Sequence, residues 1–201
     1  SKGVNMPKSY SDEEKSYIKT RLKEEAGKCL AQYGIRKTTV DEIVKRVKIP
    51  KGTFYLFYQS KEQLLYEVIL EQHEIIEEEL LTKLASISDS ERTADKLTEI
   101  IFYYYKLLDS FPALKLVNSD EFEILARKLP PNIIEEHLNH DDETIKKIAV
   151  SFPCRKDLDY SALKAAFLAL YCSTLHKDQI GECDFEKALF LLIKGLVSQM
   201  M

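Results

Sequence analysis

The sequence has no tryptophan, and only six glycines and six prolines among its 201 residues. Chains made of many strands joined by tight turns draw heavily on glycine and proline, so an all-β architecture is excluded. No run of alternating apolar and polar residues is long enough to read as a strand. The four cysteines (Cys29, Cys154, Cys172 and Cys183) lie far apart and include no C-x-x-C pair. That is the usage of a reducing compartment, not of a disulfide scaffold. Long hydrophobic runs are missing too. The longest uncharged apolar stretch, Ala165 to Leu175, falls well short of the ~20 residues that a bilayer-spanning helix needs. The polar segment Ser1 to Lys15 has no apolar centre of the kind a secretory signal carries. The expectation is a cytosolic protein with a disordered tail over residues 1–11.

The signatures of catalysis are also missing. The six glycines are scattered (Gly3, Gly27, Gly34, Gly52, Gly181, Gly195), so there is no phosphate-binding loop and no dinucleotide fingerprint. No serine is framed as Gly-x-Ser-x-Gly. His137, His140 and Glu143 recur three apart beside Asp141 and Asp142. Nothing further completes a metal site there, and a solvated helix end is the plainer reading. Neither enzyme activity nor a metal or cofactor is expected. Cys154, followed by Arg155 and Lys156, is the best-placed thiol for redox sensing, without other support.

What is present is a soluble globular composition, 45% hydrophobic and 31% charged. The net charge of −4 hides a division: residues 1–60 hold 13 basic and 7 acidic side chains, and residues 61–201 hold 16 and 26. A segment of net +6 attached to a body of net −10 suggests a small module for a polyanion and a larger part with another task.

Helical periodicity runs through the chain. Ser11-x-x-Glu14 forms a capping box, followed by Ile18, Leu22, Ala26, Cys29, Leu30 and Tyr33 in steps of three and four. Gly34 then offers the left-handed position at which helices end, with Ile35 placed for the accompanying apolar contact. Thr39-x-x-Glu42 opens a second helix carrying Val40, Ile43, Val44 and Val47. That helix must stop before Pro50. A short helix follows over Lys51 to Phe57, ending by Gln59. Ser60 with Gln63 caps a long helix through Leu64, Leu65, Val68, Ile69, Ile76, Leu80 and Leu84. Five more helical segments are predicted, with breaks near Ser88–Ser90, Ser110–Pro112, Pro130–Pro131, Pro153–Asp159 and Lys177–Cys183. The fold class is all-α, with about nine helices.

Two short helices across a turn of about three residues, over about 39–58, have the proportions of a helix-turn-helix. In that motif the second helix enters the major groove. Arg36, Lys37, Lys45, Arg46, Lys48, Lys51 and Lys61 supply charge for phosphates. Thr38 and Thr39 set hydroxyls and free amides at a helix N-terminus, a natural phosphate seat. Gly52 permits close backbone approach. Lys51 can donate to guanine acceptors, and the Thr53 methyl can touch a thymine methyl. Phe54, Val40, Ile43 and Val44 read as core.

Gly34, Thr38-Thr39-Val40 with Ile43, Lys51-Gly52-Thr53-Phe54-Tyr55 and Ser60-Lys61-Glu62-Gln63-Leu64 together resemble the N-terminal signature of TetR-family transcriptional regulators. The resemblance is dense over residues 12–72 and only architectural beyond. It implies a homodimeric DNA-binding repressor, with a DNA-binding domain over 12–60 and a ligand-binding and dimerisation domain over 61–201. Carried over by position, Thr39 seats a phosphate, and Lys51, Gly52 and Thr53 face the bases. Tyr55 and Lys61 reach backbone phosphates. On that reading Lys61→Ala weakens binding on all DNA and flattens its salt slope by about one unit, whereas Lys51→Ala impairs sequence discrimination. The chain departs from the family pattern at Lys48, where glycine is common, and at Phe57-Tyr58, where His then Phe often stand.

In the body, Ala162–Leu175 and Ala188–Val197 carry one charge each, Lys164 and Lys194. Helices apolar on nearly all sides need a second burial partner. The family's dimer, a bundle of the last two helices of each subunit, matches this. Such a dimer reads a pseudo-palindromic operator with half-sites ~34–36 Å apart. Phe102 to Tyr105 spread over most of a helix circumference, and ligand pockets favour aromatic walls. Tyr103 and Tyr104, with Phe122, Phe167 and Tyr171 by family architecture, are the candidate lining for a small apolar or aromatic effector. The alternative is an α-helical sensing or interaction protein of the same fold that no longer binds specific DNA.

Overall fold

The computed structural model describes residues 10–116, 120–130, 133, 144 and 146–201. His137, His140 and Glu143 lie outside them. Every regular element among the described residues is helical, and no helix there is long and apolar enough to cross a membrane. The helices are α1 (Asp12–Lys37), α2 (Val40–Val47), α3 (Lys51–Phe54), α4 (Lys61–Ala85), α5 (Ala94–Asp109), α6 (Asp120–Ala126), α7 (Tyr160–Thr174), α8 (Lys177–Ile180) and α9 (Glu182–Met200). A further helical stretch covers 146–151. The chain divides into two compact units, Ser1–Ile69 and Leu70–Met201.

The first unit is built as its caps and periodicity demand. Ser11 Oγ accepts from Glu14 N at 3.1 Å, and the Glu14 carboxylate accepts from Ser11 N at 2.9 Å, a complete capping box. Ile18, Leu22, Ala26, Cys29 and Leu30 bury one face of α1, while Tyr33 stays exposed. Burial pushes the Cys29 thiol up from its ordinary pKa. Gly34 goes beyond the expected left-handed cap: at φ 75 and ψ −178 it occupies a region that essentially only glycine enters. The helix breaks there, and one further turn runs on to Lys37. Against α1 pack α2 and the start of α4. A methyl added at Gly27 would touch Val68 at 3.5 Å, and Glu67 binds Lys19 at 2.9 Å. Phe54, Tyr58, Leu64 and Leu65 complete the core. Phe57, at the position where a polar partner is common in the family, is half-buried.

Helix α2 ends in a doubled closure: Lys48 N donates to Lys45 O at 3.3 Å and Ile49 N to Val44 O at 3.1 Å. The closure requires a left-handed residue, and Lys48 takes it at φ 62, ψ 44. It is the only non-glycine with positive φ among the described residues. A side chain there costs about 1 kcal/mol relative to glycine. Lys48→Gly should therefore raise the urea-unfolding free energy by about that much. An unchanged or lower midpoint would mean that the Lys48 side chain makes a compensating contact.

In the second unit α5 packs on α9, and α7 touches both. Leu97, Ile100, Ile101, Leu108, Leu163, Leu170, Leu189, Ile193 and Val197 are buried. Tyr105 Oη donates to the Phe167 carbonyl at 2.7 Å, tying α5 to α7, and Phe102 meets Phe190 edge to face at 5.3 Å. Asp109, at the end of α5, gathers Lys115 at 2.8 Å and Lys177 at 2.6 Å. These two ammonium groups hold its carboxyl below the usual range despite partial burial.

Candidate nucleic-acid interface

Thr39 is the N-cap of α2, and its Oγ1 accepts from Glu42 N at 3.2 Å. The Glu42 carboxylate is taken by Arg46 Nε at 2.8 Å. Arg46 also donates to Gln32 and to Tyr33 Oη, both at 3.1 Å, pinning α2 to the end of α1. Proline at 50 starts α3, which is regular only over Lys51–Phe54 and continues as turns. Phe54, fully buried, anchors it from below, while Lys51, Gly52, Tyr55 and Leu56 face outward.

The seven expected DNA-contacting residues divide on this geometry. Lys51, Gly52, Tyr55 and Thr39 lie at the surface. Gly52 is the most telling. A β-carbon built on it meets nothing within 4 Å, and its φ is not positive. The fold gives no reason for a glycine there, whereas an incoming surface would.

The other three have side chains engaged by the protein itself. Thr38 is 0% exposed, and its hydroxyl donates to Gly34 O at 2.7 Å. Its hydroxyl closes the break in α1. Thr53 is also buried, with its hydroxyl 3.4 Å from Tyr10 Oη. Lys61 departs furthest. Its Nζ donates to the carbonyls of Thr38 at 2.7 Å, Ile35 at 2.9 Å and Arg36 at 3.4 Å. From the first turn of α4 it satisfies the acceptors left over by the last turn of α1. The cation at this spot meets backbone carbonyls of its own chain. Asp41 was not singled out at all, yet its Oδ2 lies 3.0 Å from Lys51 Nζ.

The five aromatic candidates of the second unit differ in exposure. Tyr103 points outward, with its hydroxyl donating to Glu79 and Lys83 Nζ 4.2 Å above its ring. The residue is 39% exposed. Tyr104, Phe122, Phe167 and Tyr171 are half-buried, and Tyr171 Oη donates to Leu114 O. An open groove of about 530 Å³ lies elsewhere, lined by Glu74, Glu77, Glu78, Leu81, Thr82, Ala85 and Lys147. Cys154 is no better as a sensor. Burial pushes its thiol up, and the Arg155 guanidinium is held by Asp157 at 2.7 Å. No three His, Cys, Asp or Glu side chains among the described residues are grouped to hold a metal.

Among the described residues every regular element is helical, with a helix-turn-helix in the first unit and a larger helical unit after it in sequence. Residues 24–68 match the sequence model of the family described as bacterial regulatory proteins, tetR family. The likeness to that family is thus to its N-terminal module, over those residues. It is 30% identical over 138 residues to the uncharacterized HTH-type transcriptional regulator YuxN of Bacillus subtilis, a match covering 64% of this chain and 44% of that protein. It is 27% identical over 136 residues to the probable acrEF/envCD operon repressor of Escherichia coli, covering 65% and 61%. It thus spans less than two thirds of either relative. Among solved structures, that of the transcriptional regulator FadR from Bacillus subtilis in complex with stearoyl-CoA superposes with a TM-score of 0.62 at 20% identity, over 90% of this chain and 99% of that one.

Proposed function

We propose that the chain is a ligand-responsive DNA-binding transcriptional repressor that acts as a cytoplasmic homodimer. The observation that carries this reading is the exposed Lys51-Gly52 step of α3, where the glycine serves no need of the fold. Lys51 supplies a donor for base acceptors, Gly52 lets backbone and groove approach, and Thr39 and Tyr55 contact phosphates. The relative described as an operon repressor supports repression.

The dimer forms through α7 and α9. Leu168, Leu191 and Leu192 are exposed at 51%, 69% and 55%, beside Ala162, Ala165, Ala169 and Gly195, which are exposed as well. Small residues among exposed leucines suit close helix approach by a second copy. Two recognition helices related by a two-fold axis select a pseudo-palindromic operator.

The effector is a small, largely apolar molecule, and Tyr104, Phe122, Phe167 and Tyr171 are its candidate contacts. The stearoyl chain of the stearoyl-CoA named for the FadR structure is apolar in this sense, whereas its CoA part is phosphorylated. Release from DNA follows when the effector favours a conformation whose recognition helices are misspaced, since only differential affinity moves such an equilibrium.

Fluorescence anisotropy against fragments of the chain's own upstream DNA and against a randomised duplex pool, at two salt concentrations, tests the reading. Selective binding that survives the higher salt is expected. Equal, weak binding to every duplex, abolished by salt, would reduce the surface to a nonspecific basic patch.

A further inference from the structure

The surface that carries Lys51 also carries a charge of the wrong sign for a polyanion. Asp41 stands in the first turn of α2 with its side chain 72% exposed, and its Oδ2 accepts from Lys51 Nζ at 3.0 Å. Ten residues separate the two in sequence, so the pair bridges the turn between the helices of the motif. Its stabilising worth to the fold is small, because both groups are in water. The N-terminus of α2 is already served by Thr39 and by the neighbouring Glu42. The carboxylate also draws the Lys51 ammonium further up in pKa.

We infer that Asp41 is a specificity-determining residue of the DNA-binding surface, one that acts by holding Lys51 and by opposing phosphates. This rests on the reading that α3 enters the major groove. An ammonium has three donors. Opposite a guanine, one N–H can reach O6 or N7 while another stays with Asp41, so both groups keep partners. On DNA without such an acceptor, Lys51 has two courses. It can stay on Asp41 and neutralise no phosphate, or it can turn to a phosphate and leave the carboxylate unpaired in the field of a polyanion. Either way noncognate DNA loses more than cognate DNA does. Discrimination thus comes from a penalty as well as from a contact.

Asp41→Asn keeps the shape and removes the charge. In anisotropy titrations with a mixed-sequence duplex at low salt, the variant should bind about fivefold tighter than the parent, the effect of one nearby unit charge in water. That gain should shrink at higher salt. Sequencing of the duplexes retained from a randomised pool should show a relaxed preference at the base pair that Lys51 reads. Asp41→Glu should restore much of the preference. In a Lys51→Met background, Asp41→Asn should leave the preference unaltered. Parental affinity for the mixed duplex together with unaltered retained sequences would overturn the assignment, as would an identical change of preference in the Lys51→Met background. So would a loss of cooperative unfolding in Asp41→Asn, which would make the pair structural. Failure of the unmutated protein to bind any duplex at low salt would instead sink the DNA-binding reading itself.

Discussion

Replacing Lys61 by alanine should destabilise the N-terminal unit by about 2–3 kcal/mol in urea unfolding, while leaving the salt slope of DNA binding by the folded fraction unchanged. The ammonium serves three backbone carbonyls, those of Ile35, Arg36 and Thr38. Hydrogen bonds from a charged donor are worth roughly 1.5–3 kcal/mol, and acceptors left partly buried without a donor add a desolvation cost. The three bonds share one cation, so their effects do not add in full. The Thr38 residue it grips also closes the break at Gly34 and precedes the Thr39 cap of α2. Loss of Lys61 therefore loosens the place where the first helix of the motif is set. Lys61→Met, which keeps the apolar stem, should lose nearly as much, because the ammonium is what matters. The opposite result, an unchanged midpoint with a salt slope lower by about one unit, would restore Lys61 to the phosphates and contradict the geometry.

Gly52→Ala should have the reverse profile. The added methyl meets nothing within 4 Å, and alanine is the better helix former, so stability should hold or rise by a few tenths of a kcal/mol. Affinity for cognate DNA should fall by about 10- to 100-fold, the loss of one well-packed base contact at roughly 1–3 kcal/mol. Equal affinity in the variant would show that the DNA does not close on this residue, and the argument from a glycine without a structural need would fail. Measured side by side, the two substitutions separate folding from recognition within one motif.

Local patterns were legible in the sequence where the physics is local. Ser11 with Glu14 makes its capping box, and Ser60 caps α4, accepting from Gln63 N at 3.2 Å. Gly34 and Lys48 both take positive φ, the one at a helix break and the other at the cap where the missing glycine had marked a departure. Helix existence and type follow from periodicity and capping over a few residues. The direction of a long side chain does not. Lys61 and Lys51 looked alike as cations beside a helix N-terminus, yet one is folded onto carbonyls 23 to 26 residues earlier and the other onto a carboxylate. Thr38 and Thr39 are adjacent and chemically identical, and only the packing against Gly34 decides that one is sealed inside. The row Phe102 to Tyr105 was legible as too wide for one face. Which ring turns outward was settled by Glu79 and Lys83, on another helix.

The fully buried thiol of Cys29 has a use unrelated to redox sensing. A thiol-alkylating reagent reaches that sulfur only while α1 has come away from its neighbours. Once Cys154, Cys172 and Cys183 have been replaced by serine, the slow labelling of Cys29 becomes a clock for transient opening of the recognition unit. Its rate relative to a free thiol gives the opening equilibrium of that unit, separately from the rest of the chain. Run with and without DNA, the same clock would measure how much an occupied groove tightens the helices that read it.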